Sequence, residues 1–280
     1  MTPIHDQGYR RYGGGRAPRG RAWSVIAASG IRTFFGKRVF LGLLLLSWGQ
    51  FFVRTVQIYL AANLPQATVL APTPETFWQF FDLQQLFVFV VTVYVGAGLI
   101  ANDRRANALQ IYLSKPLTRA DYVFGKLAIL MAFLLLITWV PAIMLLMVQV
   151  LFAGNFVFVR SHAYLVPAIT LFSFIEVVTF STTMLALSSL STSSRYVGVL
   201  YAMVIFFTRA LFNVLRFVTG ASTMSWMAFT VNLEQVGNAI FRLPPRYDTP
   251  LPVSLLTIVV LVGVSAFVLE RRVRGVEIVA

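Results

Sequence analysis

Cysteine is absent from the 280 residues, and histidine occurs only as His5 and His162. The first absence excludes disulfides, thiolate metal sites and a cysteine nucleophile; the second leaves a catalytic metal centre almost without imidazole ligands. Charge is scarce: Asp, Glu, Lys and Arg make up 12% of the chain, against roughly a quarter in soluble domains. No H-E-x-x-H, G-x-S-x-G or N-x-[ST] pattern occurs. The phosphate-cradling G-x-x-x-x-G-K-[ST] loop is missing too, because Gly36-Lys37 and Gly125-Lys126 lack the upstream glycine. What fills the chain instead is apolar: 58% hydrophobic, with 25 Phe and a mean hydropathy of +0.77. So few polar side chains cannot coat two globules, the number this length would otherwise suggest. A soluble enzyme is excluded, and the fold class expected is an all-α polytopic membrane protein.

Spans need about 20 apolar residues to cross a hydrocarbon core of roughly 30 Å. Six such runs are present, at about 39–60, 79–101, 124–151, 164–189, 196–219 and 252–270, within a transmembrane domain of 38–272. Pro141 should kink the third. Residues 1–20 read as a flexible tail and 273–280 as a short one. The first apolar run starts too late and runs too long for a cleaved signal peptide, so it reads as an uncleaved span. In 21–37, Trp23, Ile26, Ala27, Ile31 and Phe34 recur at helical spacing among Arg21, Ser24, Arg32 and Lys37, the pattern of an interfacial amphipathic helix. Between the last two spans, Trp226, Phe229, Leu233, Val236 and Ile240 are spaced 3, 4, 3 and 4, while Asn232, Glu234, Gln235, Asn238 and Arg242 fall largely on other, polar faces. They predict a second short amphipathic helix on the outer side, lying at the interface or dipping into the membrane, with Pro244 and Pro245 ending it.

The net charge of +13 would suggest nucleic acid in a soluble protein. Position gives another reason for it. Eight basic residues precede the first span, five lie in 102–126, one is Arg195 and three follow the last span, so 17 of 23 fall on one side. By the positive-inside rule that side is cytoplasmic and holds both termini; the membrane expected is the plasma membrane, the inner membrane of a bacterium. No nucleic-acid partner is needed to explain the charge. Gly96-Ala-Gly98-Leu-Ile-Ala101 fits a dinucleotide fingerprint, but it closes a span, where small residues serve close helix packing.

Two charges lie well inside the spans. Glu176 and Arg209 sit 12 and 10 residues from the outer ends of their runs, which at ~1.5 Å per residue leaves their depths about 3 Å apart. Intramembrane charges face the protein interior and seek partners, so these two are expected to pair, within the chain or across a dimer, or else to line a substrate path. Arg54 and Asp82 are a second candidate pair near the outer surface.

The stretch after the second span carries the most specific pattern: Ile100, Asp103, Arg104, Arg105, Leu109, then Leu113-Ser114-Lys115-Pro116-Leu117-Thr118-Arg119, and Tyr122 before Gly125-Lys126. Residues 102–113 can form a helix with Asp103 in its first turn; Pro116 would stop it, and Thr118 can cap the helix that becomes the third span. Over about 30 residues this stretch resembles the permease subunits of type-2 ABC exporters, in which an acid among basic neighbours precedes Leu-Ser-x-Pro-Leu-Ser/Thr-Arg and an aromatic before Gly-Lys. Asp103 stands where that family more often has Glu, and Asn107-Ala108 where it often has Gly-Thr.

The resemblance implies a half-transporter. Two such membrane subunits would pair, as a homodimer in the simplest case. Two separate ATPase subunits would supply ATP and Mg, leaving this chain without a cofactor. Carried onto this sequence, the ATPase-docking residues are Asp103, Arg104, Arg105, Leu109, Leu113, Pro116, Arg119, Tyr122 and Lys126, and loop 102–121 with the interfacial helix 21–37 would form the docking surface. Two other classes remain open: a proton-coupled secondary transporter using Glu176, and a non-transporting assembly or signalling subunit that anchors an ATPase. The substrate does not follow from the sequence.

Overall fold

The computed structural model describes residues 22–64, 70–108 and 118–273, and no strand occurs among them. The 1–20 tail and 274–280 therefore lie outside the described residues. Among the described residues, six helices are long and apolar enough to cross a membrane: Arg38–Asn63, Pro74–Arg105, Arg119–Ala153, Leu165–Leu190, Ser194–Thr219 and Leu251–Arg272. Threading puts Arg38, Arg105, Arg119, Leu190, Ser194 and Arg272 at one end of the bundle, the basic end, and the opposite helix termini at the far end. The third span begins where its cap dictates: Thr118 Oγ1 accepts from the Asp121 amide at 3.1 Å and donates to Asp121 Oδ2 at 2.6 Å.

The second, third and fourth spans form the interior, burying 50%, 56% and 61% of their most apolar windows; the first, fifth and sixth bury 22%, 22% and 17%. Small residues let the inner helices approach. A Cβ on Gly96 would lie 2.4 Å from Met184 Cγ and 2.9 Å from Leu130 Cδ2, so Gly96 serves helix packing, whereas Gly98 lies against Asn102 of its own helix.

Two spans are interrupted at a common level. The first breaks at Trp48, between helices Arg38–Ser47 and Gly49–Asn63; the third breaks at Thr138, between Arg119–Ile137 and Trp139–Ala153. Pro141 accounts for the second break and for its offset of three residues. Proline has no N–H to give the carbonyl four residues back, which is Ile137. Gln84 of the second span supplies that donor: its Nε2 bonds Ile137 O at 2.8 Å and also Ser47 O at 3.0 Å. A fully buried amide thus ties the two breaks together.

Before the first span, the helix Ala22–Phe35 packs along the third span. A Cβ on Gly30 would meet Ile129 Cδ1 at 2.2 Å, and one on Gly125 would meet Ile26 Cβ at 2.8 Å and Trp23 O at 3.0 Å, so the crossing is built on two glycines.

The second short helix runs Phe229–Ile240, with Trp226 in a preceding 3-10 turn, Thr223–Met227. It ends before the prolines and dips inward. Phe229 meets Phe180, 15 residues into the fourth span, whereas Phe241 meets Phe172, seven residues in. Those eight residues correspond to about 12 Å of depth. Every residue from Phe229 to Asn238 is buried, including Asn232, Glu234, Gln235 and Asn238, which the amphipathic pattern assigned to a polar face. Gly237 permits the insertion, since a Cβ there would fall 2.0 Å from Trp78 Cζ3.

Candidate functional site

At the basic end, the second span runs on to Arg105, so Asp103 lies in its last helical turn and not in the first turn of a separate 102–113 helix. A carboxylate there opposes the helix dipole and needs compensation. Lys126 Nζ provides it at 2.7 Å, and Tyr122 donates its hydroxyl to the same Oδ2 at 2.7 Å. Tyr122 is fully buried and Lys126 nearly so. These two residues, expected on an ATPase-docking surface, instead form the inner anchor that joins the second span to the third. Arg104 likewise turns inward, donating to the carbonyl of Ser189 at the end of the fourth span. Next to it, Ser188 Oγ donates to Ala97 O at 2.9 Å and accepts from the Ile100 and Ala101 amides at 3.2 and 3.1 Å. Three spans are therefore locked at this end by polar contacts. Arg105 and Arg119 remain exposed on either side of the 109–117 segment. Leu109, Leu113 and Pro116 lie outside the described residues.

Beside this anchor, the N-terminal helix, the second span and the third span enclose a groove of about 550 Å³, with Lys37 at its rim and Asp103 and Lys126 at its back.

The intramembrane charges do not meet within the chain. Arg209 Nη1 pairs with Glu234 Oε1 at 2.5 Å, while Glu176 Oε1 accepts from Gln85 Nε2 at 2.5 Å. The physical reason is the inserted helix, which brings a second acid to the depth of Arg209. Glu234 also accepts the Tyr247 hydroxyl at 2.6 Å and lies 3.8 Å from Arg246, which in turn lies 3.8 Å from Asp82. Burial, followed by the negative charge of Glu234, pushes the Tyr247 phenol well up, so it stays a donor. Asp82 is thus drawn to Arg246, and Arg54 instead donates to Gln57 at 2.7 Å and Gln79 at 3.1 Å. The loop before the sixth span is fixed by Asp248, which accepts the Ser222 hydroxyl at 2.6 Å and its amide at 3.0 Å. Those two bonds hold its carboxyl below the usual carboxylate range. Among the described residues, no group of three or more His, Cys, Asp or Glu side chains could hold a metal.

Glu234, Tyr247, Gln84 and Gln85 are the site residues that the sequence did not single out. Glutamines inside apolar runs were the available signal for two of them, because a buried amide needs partners.

No protein-family model matches the chain, and no curated protein matches it.

Proposed function

We propose that this chain is the membrane-spanning subunit of an ATP-driven exporter of the type-2 ABC kind, working with a separate ATPase and a second membrane subunit. The observation that carries the reading is the Asp103–Tyr122–Lys126 unit. Three residues of the motif, up to 23 positions apart, join the second and third spans at the end where the N-terminal helix packs. A push on the 102–121 loop would reach both spans through that anchor, and the third span would carry the N-terminal helix with it through Gly30 and Gly125. Arg105 and Arg119, exposed beside the loop, suit contact with an ATPase surface. The 17 basic residues on this side fit a cytoplasmic face of the plasma membrane with both termini inside. The exposed Trp23, Val25 and Phe35 fit an N-terminal helix lying at the interface, where amphipathic aromatics collect. ATP and Mg belong to the partner on this reading.

One observation favours a second reading. Glu176, 1% exposed, has a neutral amide as partner and an unpaired Oε2, a setting that a proton-coupled transporter would use.

The test is to look among the neighbouring reading frames for an ATPase with a phosphate-cradling G-x-x-x-x-G-K-[ST] loop, then to co-express it with this chain and co-purify the two. Replacing 102–121 by a neutral linker should abolish association, and Arg119→Glu should weaken it. Retained association without the loop would refute the docking surface. Transport in sealed vesicles that follows an imposed proton gradient without ATP, and is lost in Glu176→Gln, would favour the second reading.

A further inference from the structure

The groove between the N-terminal helix and the second and third spans is not used by the anchor behind it. Most of its side walls are apolar, with Ile26 and Phe34 from the N-terminal helix, Leu99 and the Tyr94 ring from the second span and Ile129 from the third, interspersed with Ser29, Thr33 and Asn102. Phe34 and Tyr94 both pack on Phe40, giving an aromatic wall with ring centroids 5.5 Å apart in each pair. At the back, Asp103 and Lys126 neutralise one another at 2.7 Å. The unbalanced charge is therefore at the rim, where Lys37 holds its ammonium 4.6 Å above the Phe34 ring and meets no carboxylate in ion-pair range among the described residues. Exposed Arg32 and Arg38 flank it along the chain.

Volume, lining and surroundings agree on the kind of occupant. About 550 Å³ falls within the size of small-molecule sites, whose walls are mostly apolar with a few placed polar groups. Val25 on the groove lip and Val39 at the start of the first span are 69% and 74% exposed, so the apolar lining is continuous with surface that suits acyl chains. Basic side chains at a membrane surface attract anionic lipid, at about 1 kcal/mol each.

We propose that this groove is a binding site for one anionic phospholipid, with an acyl chain between the N-terminal helix and the second span and the headgroup phosphate at Lys37. The site is independent of what the protein exports, and it stands or falls apart from the ATPase-docking reading.

The experiment uses the full chain, delipidated in detergent and titrated with dioleoyl-phosphatidylglycerol, with bound lipid counted by native mass spectrometry. Dioleoyl-phosphatidylcholine and inorganic phosphate serve as comparators. One phosphatidylglycerol should be retained per chain, with phosphatidylcholine retained more weakly and phosphate unable to compete. Lys37→Ala, at an exposed position, should weaken phosphatidylglycerol about fivefold and bring it level with phosphatidylcholine. Thr33→Trp, also at an exposed groove position, should reduce both lipids by obstructing the chain path. Equal retention of the two lipids by the unaltered protein, competition by phosphate alone, or unchanged retention in both variants would overturn the proposal.

Discussion

The Arg209–Glu234 pair makes a prediction about asymmetry. Its two side chains are unequally buried: 41% of the Arg209 side chain is exposed, but only 4% of that of Glu234. Removing one partner of a buried pair costs about 3–5 kcal/mol, chiefly through the charge left behind. Arg209→Leu strands Glu234, which keeps the Tyr247 hydroxyl at 2.6 Å and Arg246 at 3.8 Å, so the cost falls at the low end, about 3 kcal/mol. Glu234→Gln strands Arg209 instead, and a long, half-exposed arginine can turn its head toward water or lipid headgroups. Glutamine can still accept from Tyr247, so about 1 kcal/mol is expected. In equilibrium unfolding from mixed micelles, followed by tryptophan fluorescence, the first change should shift the unfolding constant by about a hundredfold and the second by about fivefold. The double variant should resemble Glu234→Gln, well short of the sum, because the stranded carboxylate is gone. Equal single costs, a larger cost for Glu234→Gln, or a double variant equal to the sum would refute the reasoning.

Three further outcomes follow from the same contacts. Glu176→Gln and Arg209→Leu should add to within about 0.5 kcal/mol in the same unfolding assay, since the two residues share no partner among the described residues. Gly125→Ala should lift the N-terminal helix from the third span, at a cost of about 1–3 kcal/mol. Because the chain has no cysteine of its own, a single cysteine placed at the buried Ala27 would report this as faster thiol labelling. Asp248 should make the fold acid-sensitive. Its folded carboxyl is held low by Ser222, so its contribution is complete above the usual carboxylate range and fades as pH falls through its lowered value. Melting temperatures recorded from pH 7 to pH 3 should drop less steeply in Asp248→Asn.

The parts of this fold legible in the sequence are those set by local chemistry. Long apolar runs locate the spans because lipid leaves the backbone little alternative to helix. Thr118 and Asp121 announce a cap within four residues, and Pro141 announces an interruption, displaced to Thr138 because the carbonyl it deprives lies four residues back. What was not legible depends on partners distant in sequence. The spacing locates the helix Phe229–Ile240, though Trp226 falls in the 3-10 turn before it, and Glu234 and Gln235 lie off the apolar stripe with no visible reason for burial until Arg209, Tyr247 and Thr249 come to meet them. Asp103 and Lys126 were visible as charges and read as surface. Two helices had to converge before Tyr122 and Lys126 could enclose the carboxylate. Glu176 and Arg209 share a depth, as counted, yet depth alone says nothing about azimuth around the helices.

The Gln84 amide couples the breaks in the first and third spans; the fifth span has its own irregularity, a π-helical turn at Met203–Phe207. One nitrogen serves carbonyls on two different helices, at 3.0 Å and 2.8 Å, so neither the first nor the third span can straighten or bend there without disturbing the bond to the other. The segments above and below this level are each continuous helix, stiff by comparison. Any tilt of one span's segments about its break would therefore be felt by the other span through this one side chain of the second.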